Sequence, residues 1–238
     1  MHYFDRAYEG NPPWEIARPQ REFVQLEADG EIRGRVLDVG CGTGENALYY
    51  AAHGHDTWGI DFAPTAVRRA REKAVARGSS ARFEVASALE LTQRRESFDT
   101  VTDCGMFHTF LDLHRPVYSA SVASVLRPKG RFFVLCFSER EPTDWGGPRR
   151  VTQTEIRETF CREFSVRWIR EARFETNLPG VSGLAWLAAL ERTAPGTPRA
   201  PARSRRSAGE STRARRRAPA SRRTEGSASS PPRALPSS

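Results

Sequence analysis

The sequence predicts an α/β fold built on a mostly parallel seven-stranded sheet, with helices on both faces and an antiparallel hairpin at one edge. Three observations carry this. Short apolar, β-branched runs alternate with helical patterns between Arg35 and Thr193. A glycine-rich turn, "GCGTG" at residues 40–44, follows the first of those runs. The last two strand-like runs come together at the carboxyl end, after all the helix-linked units, which marks them as an edge hairpin.

Taken in order, "RVLDVGC" is apolar enough for a buried first strand, and "ENALYYAAHG" is a helix closed by Gly54. "DTWGID" forms the second strand. "APTAVRRAREKAVARG" is the second helix, with Pro64 where helix starts tolerate proline and Gly78 where helices stop. "ARFEVA" and "SFDTVTDCG" are the third and fourth strands, and "HRPVYSASVASVLRPKG" is a helix stopped by Pro128 and Gly130 before the fifth strand, "RFFVLCFS". In "TQTEIRETFCREF", Thr152 or Thr154 caps a helix with Ile156, Phe160 and Phe164 on one face. "SVRWIREARFET" and "GLAWLAALERT" close the sheet.

Charge divides the chain. The net charge is +8, but residues 194–238 hold 11 Arg and 2 Glu, or +9, which leaves −1 for residues 1–193. The Arg, Ala, Ser and Pro composition of 194–238 cannot bury enough apolar surface to offset the entropy of ordering it, so a disordered tail is expected. Such a tail can bind nucleic acid weakly through phosphate contacts, although it has no aromatic residues for base stacking. Residues 1–34 are read as an N-terminal lid, 35–193 as the folded domain. Cys41, Cys104, Cys136 and Cys161 stand singly, without the spacing of a zinc site, so reduced thiols and no metal are expected. The N-terminus lacks a signal-peptide apolar stretch and no apolar run is long enough to span a bilayer, which points to the cytoplasm and to no membrane partner.

A strand, a loop of small residues and a helix start bring backbone N–H groups close to a ligand. The spacing here is G-x-G-x-G, with Glu45 where a dinucleotide-binding loop has its third glycine, and a carboxylate there repels a pyrophosphate. Asp61 ends the second strand 21 residues after Gly40, where a carboxylate accepts hydrogen bonds from ribose hydroxyls. Asp38, just before the loop, suits a cation. An adenosine without phosphates that carries an ammonium and a sulfonium meets all of these demands.

"VLDVGCGTG", Asp61 and "SFDTVTDCGMFH" resemble the class I S-adenosylmethionine-dependent methyltransferases over Trp14 to Arg192. "PPWEIARPQ" and "DCGMFHTF" further resemble actinobacterial small-molecule methyltransferases acting on quinones, phenols and heterocyclic toxins, and the Trp-containing N-terminal segment is similar to thiopurine and halide/thiol methyltransferases. The resemblance implies a Rossmann-like methyltransferase fold. It also implies that Gly40, Gly42 and Gly44 pass under adenosylmethionine and that Asp61 binds its ribose. Ser87 stands where the family commonly has an acid for the adenine amino group, with the backbone of Ala88 and Leu89 pairing with the ring. Phe62, Cys104 and Trp14 complete the cofactor-side set, Trp14 within a segment that Pro12, Pro13 and Pro19 hold extended.

Ligands of open α/β sheets bind beyond the carboxyl ends of the strands, so the acceptor side falls to Phe107 and His108 in one loop and Trp145 in another. His108 is read either as a general base or as a packed loop histidine. A small-molecule methyltransferase is the leading expectation. RNA or protein methylation with the basic tail holding the substrate is the alternative enzyme, and a non-catalytic adenosylmethionine-binding protein the alternative without turnover.

Overall fold

The computed structural model describes residues 2–144, 147–179 and 181–194. Residues 1–200 form one compact unit of the chain. Two helices, α1 (His2–Ala7) and α2 (Arg21–Ala28), come first. Then follow β1 (Arg35–Val39), α3 (Glu45–Ala52), β2 (Asp56–Asp61), α4 (Pro64–Ala76), β3 (Arg82–Val85), β4 (Phe98–Cys104), α5 (Arg115–Val125), β5 (Leu126–Phe137), α6 (Gln153–Phe160), β6 (Phe164–Glu175) and β7 (Ser182–Arg192). The strands form one sheet in the order β3-β2-β1-β4-β5-β7-β6. β1 to β5 are parallel, and β7 runs antiparallel to both β5 and β6. No helix among the described residues is long and apolar enough to cross a membrane.

Period-two alternation along the central strands feeds both faces. In β5, Phe132, Val134 and Cys136 pack into one core layer, while Phe133, Leu135 and Phe137 enter the layer on the opposite face. β7 divides in the same way, Trp186, Ala188 and Leu190 to the first layer and Ala185, Leu187 and Ala189 to the second.

Three element boundaries differ from those the sequence suggests. The segment before Pro19, to which the sequence assigned no strand or helix, carries a helix, α1, and is followed by α2. The helix before β5 stops at Val125, because buried Leu126 takes an extended backbone and pairs with Phe98. Pro128 and Gly130 therefore lie inside β5, in a bulged stretch before Arg131 pairs with Thr100, with Lys129 at φ 62°. Phe164 opens β6 instead of extending α6, whose N-cap is Thr152 in a reciprocal capping box with Glu155.

Candidate active site

Strand order reverses at β1, whose neighbours are β2 and β4, and the crevice beyond their carboxyl ends is where this topology receives ligands. The glycine turn between β1 and α3 floors that crevice. Gly42 (φ 54°) and Gly44 (φ 89°) need the left-handed backbone region, and both are tightly enclosed. A Cβ on Gly42 would lie 2.7 Å from the Tyr8 hydroxyl, and one on Gly44 2.7 Å from the Phe83 ring. Gly40, Gly42 and Gly44 line a single cavity with Trp14, Arg18, Asn46, Cys104 and Phe174.

Asp61 is 6 % exposed at the end of β2. Its Oδ2 accepts from the Gly42 N–H and its Oδ1 from the Ala63 N–H, both at 2.9 Å. The carboxylate is thereby locked to the glycine turn. Burial holds its pKa above the ordinary range. Phe62 beside it packs edge-on against Phe4 of α1. The Ala86 N–H donates to the Asp61 carbonyl at 3.0 Å, so the loop bearing Ser87, Ala88 and Leu89 runs next to Asp61. Within that loop the Ser87 Oγ accepts from the Leu89 N–H at 3.2 Å, and Ala88 is buried in the core.

Asp38 lies beneath the turn at 1 % exposure. Its Oδ1 accepts from the Thr102 hydroxyl at 2.8 Å, its Oδ2 is buried without a partner, and burial with repulsion from Asp103 and Asp61 pushes it up to about 7. An orphaned carboxylate oxygen fits a ligand cation. A phosphate cradle is not formed, since the Cys41, Gly42 and Gly44 N–H groups are already engaged by the Ile60 carbonyl, Asp61 and the Cys41 carbonyl. Donors and acceptors together fit an adenosine with a cationic amino acid part. Glu45 bears on this less than its position suggests, because Lys73 at 2.8 Å and Arg77 at 2.8 and 2.9 Å neutralise it and hold its pKa down.

The N-terminal segment straps across the turn. Trp14 Nε1 donates to the Tyr8 hydroxyl at 3.0 Å, and Tyr8 is buried. Glu15 accepts from the Thr43 hydroxyl, while Lys73 reaches Glu15 at 3.3 Å and Thr43 at 2.5 Å. On the other flank Asn177 donates to the Pro12 and Glu15 carbonyls at 2.8 and 3.0 Å, and Gln20 exchanges two hydrogen bonds with the Glu175 backbone. Gln20 N–H also donates to Asn46 of α3. Sequence reasoning singled out Trp14 but missed Tyr8, Glu15, Arg18, Gln20, Thr43, Asn46 and Phe174. Only the polar "RPQ" after a double proline hinted that this segment binds something.

The structure buries both acceptor-side residues of the first loop, against the expectation for Phe107 and in line with the packed reading of His108. Phe107 is fully buried, packed against Tyr118 and Phe160 with Arg115 over its ring, so it serves the core. His108 is 4 % exposed and stacks on Phe137 at 4.9 Å. Its Nδ1 accepts from the Phe137 N–H at 3.1 Å, which puts the ring proton on Nε2, and burial lowers its pKa to about 3. That tautomer donates rather than abstracts a proton. Trp145 lies outside the described residues. The loop that carries Phe107 and His108 is held by Asp103, which accepts from the Met106 and Phe107 N–H groups and from the Tyr118 hydroxyl at 2.7, 3.0 and 2.6 Å. Its place at a strand end before glycine was the signal for that role.

Comparison with known proteins decides the family. Residues 36–130 match the model of a methyltransferase domain. The chain is 35 % identical over 187 residues to the 2-heptyl-1-hydroxyquinolin-4(1H)-one methyltransferase of Mycobacteroides abscessus, covering 74 % of this chain and 82 % of the relative. The chain belongs to the S-adenosylmethionine-dependent methyltransferases. A solved structure reported for the conversion of a disulfide bond into a thioacetal group during echinomycin biosynthesis is 36 % identical with a TM-score of 0.74, over 80 % of this chain and 90 % of that one. The magnesium protoporphyrin IX methyltransferase of Synechocystis PCC 6803 with bound SAM has a TM-score of 0.56 over 80 % of each chain and, at 19 % identity, shares the fold. The enzyme therefore has the fold of the class I methyltransferases.

Proposed function

We propose that the enzyme transfers the methyl group of S-adenosylmethionine to a small heteroaromatic acceptor whose nucleophile ionises without help from the protein, an N-hydroxyl of a quinolone-like ring being the leading case. One observation carries the choice: His108, the histidine of the acceptor loop, is buried and neutral with Nδ1 engaged by backbone. The relative that acts on 2-heptyl-1-hydroxyquinolin-4(1H)-one supports the acceptor class. The charge of −1 on residues 1–193 gives no field for a polyanionic substrate.

Bound adenosylmethionine supplies an electrophilic methyl carbon on a sulfonium. The acceptor would meet that carbon as its anion, its proton having gone to solvent. The chain's part is to position and to desolvate. Asp61 would hold the ribose diol, Asp38 would face the cationic amino acid part, and the strap of Trp14 and Tyr8 would keep water from the crevice.

Labelled adenosylmethionine tests the reading against a 1-hydroxyquinolin-4-one, a phenol and a thiol. We expect turnover on the N-hydroxy heterocycle to exceed that on the phenol, and His108→Asn to change kcat by less than about fivefold without removing a limb of the pH profile. Preference for the phenol, with a loss of about 10²-fold in His108→Asn, would restore the histidine as base. Binding of adenosylmethionine with no turnover on any acceptor, RNA included, would favour a non-catalytic role. Turnover on RNA alone would favour the tail-assisted reading.

A further inference from the structure

One aromatic residue that lines the crevice takes no part in the contacts described so far. Phe174, near the end of β6, borders the cavity together with Gly40, Trp14 and Cys104. Ala172 and Phe174 are buried while Arg173 between them is exposed, so the alternation of the strand turns the Phe174 ring inward. The ring is held firmly. Glu175, the next residue, exchanges two backbone hydrogen bonds with the Gln20 side chain, and the ring itself packs on Phe137 at 4.9 Å and on His108 at 5.8 Å. Phe174 thus borders both the crevice and His108, and His108 is not among the described residues that line the cavity.

The residue after β4 supplies an independent observation. Gly105 sits at φ 81°, and a Cβ there would lie 2.7 Å from the Phe174 ring and 3.3 Å from Cε1 of His108. A left-handed backbone by itself is open to asparagine or aspartate. The approach of the ring is not, because it leaves no room for a side chain of any kind. The glycine therefore makes space for Phe174 as well as for the turn that Asp103 caps. With Gly105, Phe137 and His108 packed against it, the ring has nowhere to retreat.

We propose that Phe174, seated on Gly105, limits the size of the acceptor: it is a rigid wall that admits a narrow flat ring system and rejects a laterally extended one. The inference rests on the reading of a small heteroaromatic acceptor above. Asp61 ends β2 and Asp38 lies in β1, so a cofactor held by both reaches from β2 towards β1. Cys104 and Gly105 stand at β4, on the other side of β1 from β2, and the crevice on that side is left to the acceptor. An apolar ring there offers a face or an edge to a flat acceptor and no hydrogen bond, so it discriminates by shape.

The full chain, Phe174→Leu and Phe174→Ala are assayed with labelled adenosylmethionine on pairs of acceptors that differ by one fused ring. The pairs are 1-hydroxyquinolin-4-one with 10-hydroxyacridin-9-one, phenol with 2-naphthol, and thiophenol with 2-naphthalenethiol. Affinity for S-adenosylhomocysteine is measured calorimetrically in parallel. The full chain is expected to favour the smaller member of the hydroxyquinolone pair by about tenfold or more in kcat/KM. Phe174→Ala should shrink that ratio by about tenfold and Phe174→Leu by less, with affinity for S-adenosylhomocysteine within about twofold of the full chain. Equal losses on both members of a pair in Phe174→Leu would overturn the proposal in favour of a packing role. Weakened S-adenosylhomocysteine binding with an unchanged ratio would overturn it in favour of a wall for the cofactor. If the full chain turns over both members alike, the size limit fails while the acceptor reading stands. A size preference that Phe174→Ala relaxes only in the phenol or thiol pair would keep the wall and discard the N-hydroxy heterocycle, and turnover on none of the six would overturn both.

Discussion

Asp38 shows how one residue's surroundings set its chemistry. It occupies a β1 position paired in register with Gly59 and Thr102, deep enough that burial and two neighbouring carboxylates push it up to about 7. The sign of the consequence follows from linkage. Between the ordinary aspartate range and about 7 the folded chain holds a proton that the unfolded chain has released, so Asp38 contributes less to stability as pH rises through that window. Cofactor binding runs the other way. An ammonium favours the ionised carboxylate, so affinity for S-adenosylhomocysteine should rise from pH 6 to about pH 8 and level off, with proton uptake by buffer on binding below pH 7. Calorimetry in buffers of different ionisation enthalpy measures both, and Asp38→Asn should flatten the dependence. A flat profile in the unmodified chain would remove Asp38 from the cofactor site.

At the scale of elements, the N-terminal strap depends on polar fastening more than on apolar burial. Trp14 is only partly buried, whereas Glu15, Gln20, Glu175 and Asn177 tie the stretch to the glycine turn, α3 and the end of β6. Lys73 is one of only two lysines in a chain with 35 arginines, and its compact ammonium bonds Glu15, Thr43 and Glu45 together. Segments held this way open at a lower free energy than the sheet does. Glu15→Gln removes the charge from the latch but not its shape. Amide hydrogen exchange across residues 16–20 should quicken by about tenfold, near ~1.4 kcal/mol, while β1 and β5 amides stay protected. Unchanged exchange would show that the other fastenings suffice. The element boundaries that sequence patterns missed belong here too. Pro128 and Gly130 read as helix terminators, yet the buried Leu126 had already switched the chain to strand.

For the whole molecule, charge separates from fold. Residues 1–193 carry −1 and contain the entire sheet, closed by Thr193, whose N–H and hydroxyl both donate to the Glu163 carbonyl, at 3.0 and 2.9 Å. The expectation of a disordered segment from 194 onward falls almost wholly outside the described residues. A chain ending at Thr193 should fold and retain its turnover on a small acceptor within about twofold, since the removed residues include no aliphatic side chain larger than alanine except Leu235. Any affinity of the full chain for RNA should disappear with the tail and fall steeply with salt. Filter binding at two salt concentrations and a turnover assay check both halves. Loss of methylation with cofactor binding intact would instead assign the tail to substrate capture.

Local chemistry written along the chain was enough to determine the fold class, the glycine turn and the pair Asp38 and Asp61. Strand apolarity, positive-φ glycines and a carboxylate at a strand end each need only their own neighbours in sequence to be read. The placement of Phe107 and His108 was decided by tertiary structure alone. Phe107 and His108 look alike as exposed loop residues, but the turn that Asp103 caps folds both inward, one into the core and the other against Phe137. Arg18 and Phe174 lie 156 positions apart and meet at one crevice only because β6 returns beside the N-terminal strap. Pairings over such separations leave no periodic trace in sequence, since the burial and the hydrogen bonds that define them exist only once the sheet has closed.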